Sequence, residues 1–313
     1  MKQLIDEHGR QIRKLRLSLT DRCNLRCHYC MPIDMKFMDE SRYFSADQYA
    51  EIIAHLCEHG LEEVRLTGGE PLMRKSFQEI VAKIAGLPLK KIGLTTNAIL
   101  LDRHLDCLKR HGILYLNISL DSLDERNFKK ITHGDHLARV LKNIGLARSM
   151  GFHIKINTVA MRGINDHELF DFVEWSREMG IEVRFLELMR IGHAIENQKS
   201  QFIEASEMIK RLETRYPLKP KHMAPDSTSF NFITACGAQL GFIASESKAF
   251  CGGCSRWRLS ADGFLRACLL KDEGTSLLNS TPASRSEIFD QVLKMKPGLR
   301  PAEVAHSMNQ IGG

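Results

Sequence analysis

Ser18-Leu-Thr-Asp-Arg-Cys23-Asn-Leu-Arg-Cys27-His-Tyr-Cys30-Met-Pro32 places three thiols in a C-x3-C-x2-C run directly after the alternating apolar positions Leu15, Leu17 and Leu19. Alternation with period two reads as a strand, so the cysteines occupy a short loop at that strand's end. Three soft ligands on one loop suggest a metal centre. The spacing is open to zinc, with His28 or a distant cysteine as fourth ligand, or to a 4Fe-4S cluster whose fourth iron has no protein ligand.

Working outward, strand-like and helix-like patterns alternate without a break from Leu15 to Gly180. Ser45 and Gln48 form a capping box, Ile52, Ile53 and Leu56 share one helical face, and Gly60 stops that helix. Strands are expected at Val64 to Thr67, Ile92 to Thr95, Tyr115 to Leu120, Ile154 to Val159 and Val183 to Leu188, with helices including Asp102 to Arg110, Leu137 to Met150 and Asp166 to Met179. Right-handed crossovers make this an α/β chain, an incomplete parallel (β/α)6 barrel two units short of eight, with an open doubly wound sheet as the alternative. Gly68-Gly69-Glu70, Thr95-Thr96-Asn97, and Ser119 with Asp121 follow successive strands, as the cysteines follow the first. In a parallel barrel all of these share one mouth.

The flanks decide the metal. Tyr29 before the last cysteine, together with Gly68-Gly69-Glu70-Pro71, resembles the radical S-adenosylmethionine (SAM) enzymes, and with both features present a 4Fe-4S cluster displaces zinc. Gly69 would permit close backbone approach, and Glu70 could accept from the ammonium of SAM.

After about Arg190 the alternation ends, giving a barrel over 1–190 and an irregular extension over 191–313, expected to fold across the open side and close the barrel mouth. The extension carries a helix near Ala205 to Arg215, strands at Phe230 to Thr234 and Leu240 to Ala244, and a second trio, Cys251, Cys254 and Cys268. Ala261-Asp262-Gly263 reads as a hairpin turn that returns Cys268 toward the first pair. Cys236 could complete a zinc ribbon here. Arg256 and Arg258 point the same way along a strand beside the trio, and guanidiniums of this kind suit phosphate.

The 313-residue chain has 43% hydrophobic residues, enough for a large core, and no apolar run long enough to span a bilayer, so a soluble, cytoplasmic protein is expected. Six of the nine cysteines fall in the two trios, which favours metal ligation in a reducing compartment over a disulfide framework. The net charge of +6 suits a polyanionic ligand. The basic residues form no continuous run of the kind that tracks nucleic acid, so no nucleic-acid partner is expected.

The block Phe250-Cys-Gly-Gly-Cys-Ser-Arg-Trp-Arg-Leu-Ser-Ala-Asp-Gly-Phe-Leu-Arg-Ala-Cys-Leu is similar to the GTP 3′,8-cyclases, radical SAM enzymes of molybdenum cofactor biosynthesis; Gly9-Arg10 to Pro32 and the terminal Gly312-Gly313 extend the likeness nearly end to end. The resemblance implies two 4Fe-4S clusters, SAM bound at the first through Tyr29, Gly69, Ser119 and Met189, and GTP held by Arg16, Arg65, Thr95, Lys155 and the Arg256-Trp257-Arg258 segment. Arg16, Arg256 and Arg258 would be the catalytic residues. A 5′-deoxyadenosyl radical would take hydrogen from ribose C3′, and the carbon radical would attack guanine C8. The resemblance also implies an electron donor, a hand-over to the next enzyme of the pathway, and a monomer or homodimer. Two alternatives stand beside this: a radical SAM peptide maturase, and a non-catalytic zinc or electron-transfer protein. Ala98 stands where the family commonly has glycine, and Cys236 matches no family cysteine. The terminal glycine pair would reach the active site.

Overall fold

The computed structural model describes residues 3–224 and 226–311, so the expectation for Gly312 and Gly313 falls outside the described residues. The first part runs β1 (Lys14–Ser18), α1 (Ala46–Glu58), β2 (Glu63–Thr67), α2 (Phe77–Ala85), β3 (Lys91–Thr96), α3 (Leu105–Arg110), β4 (Tyr115–Ser119), α4 (Glu125–Thr132), α5 (Leu137–Ser149), β5 (His153–Ala160), α6 (Leu169–Met179) and β6 (Glu182–Glu187). The second part adds α7 (Ile195–Gln201), α8 (Ala205–Glu213), β7 (Leu218–Pro220), β8 (Phe230–Thr234), β9 (Gln239–Ile243), β10 (Arg256–Leu259), β11 (Phe264–Arg266), β12 (Thr275–Ser276), α9 (Pro282–Lys294) and α10 (Met308–Ile311). The Ser45–Gln48 capping box is present with both of its reciprocal bonds at the start of α1.

All the strands form one sheet in the order β12-β11-β10-β1-β2-β3-β4-β5-β6-β9-β8-β7. From β1 to β6 every pairing is parallel, as the repeated strand-helix pattern requires. The extension does more than cover an opening. Its β10 pairs in parallel with β1 and its β9 in parallel with β6, so it contributes one strand to each edge and brings the parallel run to eight. The antiparallel strands β11 and β12 beyond β10, and β8 and β7 beyond β9, continue the sheet on either side.

Period two then divides each strand between core and cavity. Leu15, Leu17, Val64, Leu66, Leu94, Leu116, Ile118, Ile156, Val183 and Phe185 are buried in one hydrophobic core. The intervening positions Arg16, Arg65, Thr95, Asn117, Asn157 and Arg184 line a central cavity. An apolar outer face is what packs the helices onto the sheet; the polar inner face is left for a ligand.

Candidate functional site

Cys23, Cys27 and Cys30 from the loop after β1, and Cys251, Cys254 and Cys268 flanking the β10–β11 hairpin, all line the same cavity of about 500 Å³. Between them it is walled by Arg16, Arg65, Thr95, Ser119, Arg256 and Arg258, with Tyr29, Gly69 and Met189 also on its surface.

The first trio is held by two glycines packed against it. Gly69 donates its N–H to the Thr20 carbonyl at 2.7 Å, and Glu70 donates to Arg22 at 2.7 Å. A Cβ on Gly69 would lie 2.3 Å from the Arg22 carbonyl oxygen, and one on Gly68, at φ +148°, would lie 2.4 Å from that of Thr20. The close backbone approach expected of Gly69 is therefore made first to the cysteine loop itself. Glu70 is likewise committed within the protein: its carboxylate accepts from Leu72 N–H (3.1 Å), Thr96 Oγ1 (2.7 Å) and Asn97 N–H (2.7 Å). Burial raises its pKa to about 7 against those three bonds. Asn97, oriented by this loop, donates to Asn24 Oδ1 at 2.7 Å and approaches Cys23 Sγ at 3.8 Å. Ala98 takes the left-handed φ of +62° that glycine would favour, fixed by Thr96 Oγ1 on its N–H (3.0 Å) and Asn143 on its carbonyl (2.8 Å), so the alanine leaves the loop's shape intact.

Tyr29 donates to Asp121 Oδ2 at 2.7 Å, while Val159 N–H holds the other oxygen at 2.8 Å. Burial raises the Asp121 pKa to about 6, and both bonds oppose the rise. Burial, then Glu70, push the Cys23 thiol up to about 12. Burial, then Cys23 and Asp121, do the same to Cys30, also to about 12. His28 faces Gln201 at 3.3 Å. From the far end of the chain, Asn309 donates its side-chain amide to the Asp21 carbonyl at 2.9 Å and its backbone N–H acts on Cys30, so α10 docks beside the first trio.

The second trio has cationic surroundings. Arg10, ion-paired to Asp6 at 2.7 Å, donates to the Cys251 carbonyl at 2.7 Å. Lys296 Nζ lies 3.6 Å from Cys254 Sγ. Burial works against the Cys254 thiolate, but Arg256 and Lys296 outweigh it and bring the thiol down to about 6.

Across β10, β1 and β2 the residues Arg258, Arg16 and Arg65 stand in one register row, and the next position on β3 is Gly93. A Cβ on Gly93 would come within 2.9 Å of the Arg65 guanidinium, so the glycine makes room for the arginine. Like charges directly opposite on neighbouring strands repel. Burial, then Arg258, Arg256 and Arg65, pull the Arg16 pKa well below the usual arginine value. Burial lowers both Arg65 and Arg258 to about 10. Among the described residues neither Arg16 nor Arg65 forms an ion pair with a carboxylate, although Glu63 acts on Arg65 from a distance. An anion in the cavity would satisfy Arg16 and Arg65. Thr95 Oγ1 and Asn157 Oδ1, both lining the cavity, are buried without a hydrogen-bond partner, a further sign of a polar ligand.

Two of the expected nucleotide contacts, Trp257 and Lys155, and also Cys236, lie apart from the wall of this cavity. The Trp257 side chain does not line the cavity: alternation turns it to the opposite face from Arg256 and Arg258, where it is fully buried with its ring 5.9 Å from that of Phe289. Lys155 lines an adjoining cavity, which shares Arg65, Lys91, Asn117 and Arg184 with the first, and is paired with Glu182 at 3.0 Å. Cys236 is exposed in the β8–β9 turn, 3.1 Å from Thr234 Oγ1 and outside the cavity wall, so it does not complete the second trio. Met189 does border the cavity, packed against a small cluster of Ile191, Leu270, Val304 and Ile311. Sequence reasoning missed Asn157, Arg184 and Lys296. The first two follow from strand alternation; Lys296 follows a helix and looks like a solvated lysine.

The donor set fits iron-sulfur clusters. Each trio presents three thiols to a cavity, and backbone N–H groups reach sulfurs in both, Leu25 to Cys23 and Leu270 to Cys268 at 3.4 Å, with Asn309 acting on Cys30 and Arg256 on Cys254. Among the described residues no three His, Cys, Asp or Glu side chains converge tightly enough to hold a single metal ion. A four-iron cluster, being larger, spans a wider set of thiols.

The Radical SAM superfamily model matches residues 17–176, and the Molybdenum Cofactor Synthesis C model matches 181–303. A GTP 3′,8-cyclase of Synechocystis sp. is 56% identical over 312 residues, covering 100% of this chain and 95% of its own length. One from Aquifex aeolicus is 37% identical over 281 residues, 88% of each. In fold, the chain is similar to Streptococcus suis SuiB solved with S-adenosylmethionine, with a TM-score of 0.66 and 14% identity over 92% of this chain and 69% of that one. Two cysteine trios on one cavity, full-length identity and both family models together make this chain a member of the GTP 3′,8-cyclases, radical SAM enzymes of molybdenum cofactor biosynthesis.

Proposed function

We propose that this chain holds SAM at the first trio and GTP between the trios, and converts GTP to 3′,8-cyclo-7,8-dihydro-GTP. The observation that carries the reading is the shared cavity: both trios open onto it with the arginine row between them. Cys23, Cys27 and Cys30 would hold the first 4Fe-4S cluster, and Cys251, Cys254 and Cys268 a second. Bound there, the first cluster would supply a low-potential electron and SAM a radical able to take hydrogen from ribose C3′, the chemistry that joining C3′ to guanine C8 requires.

The protein's own contribution is position and charge. Tyr29, Gly69, Ser119 and Met189 border the SAM end. Arg16, Arg65, Arg256 and Arg258 face the triphosphate, each charge-assisted bond contributing about 1.5–3 kcal/mol. Thr95 offers its unpartnered hydroxyl to the nucleotide. Lys155, already paired with Glu182, would act on the triphosphate only from the adjoining cavity. The reaction needs an external one-electron donor, and its product passes to the next enzyme of the pathway. No helix of the described residues is long and apolar enough to cross a membrane.

The reduced, cluster-loaded protein incubated with SAM, with and without GTP, tests the proposal through 5′-deoxyadenosine. Formation that depends on GTP is the expected outcome. Formation indifferent to GTP would overturn it and favour a peptide-modifying reaction.

A further inference from the structure

Lys296 is a lysine with only 3% of its surface exposed, and its ammonium does not line the cavity where a nucleotide would sit. Its three donors have three targets. Nζ lies 2.8 Å from the Arg256 carbonyl, 3.2 Å from the Ala267 carbonyl and 3.6 Å from Cys254 Sγ. Arg256 is two residues past Cys254, and Ala267 immediately precedes Cys268, so one ammonium ties together the entry to β10, the exit from β11 and a thiol of the trio.

The lysine is fixed from behind. Lys296 N–H bonds the Leu293 carbonyl at 3.1 Å, closing the end of α9, whose Phe289, Val292 and Leu293 are buried. Phe289 packs against Trp257 of β10. A buried ammonium is costly to desolvate, and two carbonyls alone would not offset its charge; a thiolate supplies the missing negative partner.

We propose that Lys296 is a positioning residue of the second trio, standing behind the cluster on the side away from the nucleotide, where it fixes Cys254 and Cys268 and makes the cluster easier to reduce. This rests on the reading of Cys251, Cys254 and Cys268 as cluster ligands. A fixed positive charge beside a cysteine sulfur stabilises the more negative, reduced cluster. A charge-assisted contact of this kind is worth about tenfold or more in an equilibrium constant.

The test uses the full chain carrying Cys23→Ala, Cys27→Ala and Cys30→Ala, so that only the second trio can bind iron, compared with the same chain carrying Lys296→Gln. Iron per chain, thermal midpoint and an EPR-monitored redox titration are measured. Absence of iron in the parent would defeat the cluster reading itself, and this proposal with it. With iron in the parent, Lys296→Gln is expected to retain iron and to show a reduced-to-oxidised ratio at least about tenfold lower at a fixed applied potential. Retained iron with a ratio within about twofold of the parent would overturn the proposal. Where Lys296→Gln loses its iron, Lys296→Arg decides: iron retained with the charge supports the role, and iron lost with the charge still present overturns it.

Discussion

Around the first trio, burial pushes Cys23 and Cys30 up to about 12, aided by Glu70 at Cys23 and by Cys23 and then Asp121 at Cys30. Around the second, Arg256 and Lys296 overcome burial and draw Cys254 down to about 6. Cys254 is thus given electrostatic surroundings opposite to those of Cys23 and Cys30 across one cavity, while Cys251, raised by burial and then by Cys268 and Cys254, follows the first trio. A buried site flanked by carboxylates disfavours added negative charge, which lowers the potential of a cluster held there and suits a centre that must give its electron away. A site flanked by ammonium and guanidinium favours negative charge, which suits a centre beside a polyphosphate. The difference lies in the neighbours, not the ligands.

The largest test of this contrast removes one thiol from each side. Cys23→Ala is expected to abolish 5′-deoxyadenosine formation, at least about a thousandfold, with or without GTP, because residues acting as a unit fail together. Cys254→Ala is expected to leave the slow GTP-independent cleavage and remove its stimulation by GTP; equal loss of both in the two variants would erase the division of labour. Next in size, Arg16→Ala should lower kcat/KM for GTP about 10- to 100-fold through one lost charge-assisted contact, with the KM for SAM unchanged in steady-state assays.

A smaller effect reads the contrast in cluster-free protein. With its thiol near 6, Cys254 is mostly thiolate at pH 7, so its alkylation should rise between pH 5 and 7 and then level off. Cys23 and Cys30, near 12, should stay unreactive through pH 8. Peptide mass spectrometry after iodoacetamide should show labelling at Cys254 at least about tenfold faster at pH 7; similar rates would remove the electrostatic difference.

The smallest effect concerns the loop that braces the first trio. Ala98→Gly relieves a left-handed alanine worth about 1–2 kcal/mol. It also gives up a buried methyl worth about 0.8 kcal/mol and adds about 0.5–1 kcal/mol of backbone entropy. Denaturant unfolding should therefore move by less than about 1 kcal/mol; a larger loss would mean that the alanine methyl carries the loop.

The sequence exposed what is periodic or clustered. Alternation placed β1 to β6 close to their observed positions, and the strand exits at Cys23, Gly69, Thr95 and Ser119 do share one cavity. What it hid is long-range. Ile243 of β9 and Arg256 of β10 are near neighbours in sequence yet belong to strands at opposite edges of the parallel run, and no local pattern encodes that separation. The register row Arg258–Arg16–Arg65 exists only once those edges are assigned. Lys296 was invisible for the same reason: its partners, Cys254, Arg256 and Ala267, come from other segments. The side chain of Trp257, by contrast, needs only period two, which turns it away from Arg256 and Arg258 into the core.

The most direct test of the shared cavity follows one hydrogen atom. GTP carrying deuterium at ribose C3′ is incubated with the reduced, cluster-loaded protein and SAM, and the 5′-deoxyadenosine is examined by mass spectrometry. Nucleotide and SAM held between the two trios predict deuterium in the 5′-deoxyadenosine; product formed without deuterium would contradict the account.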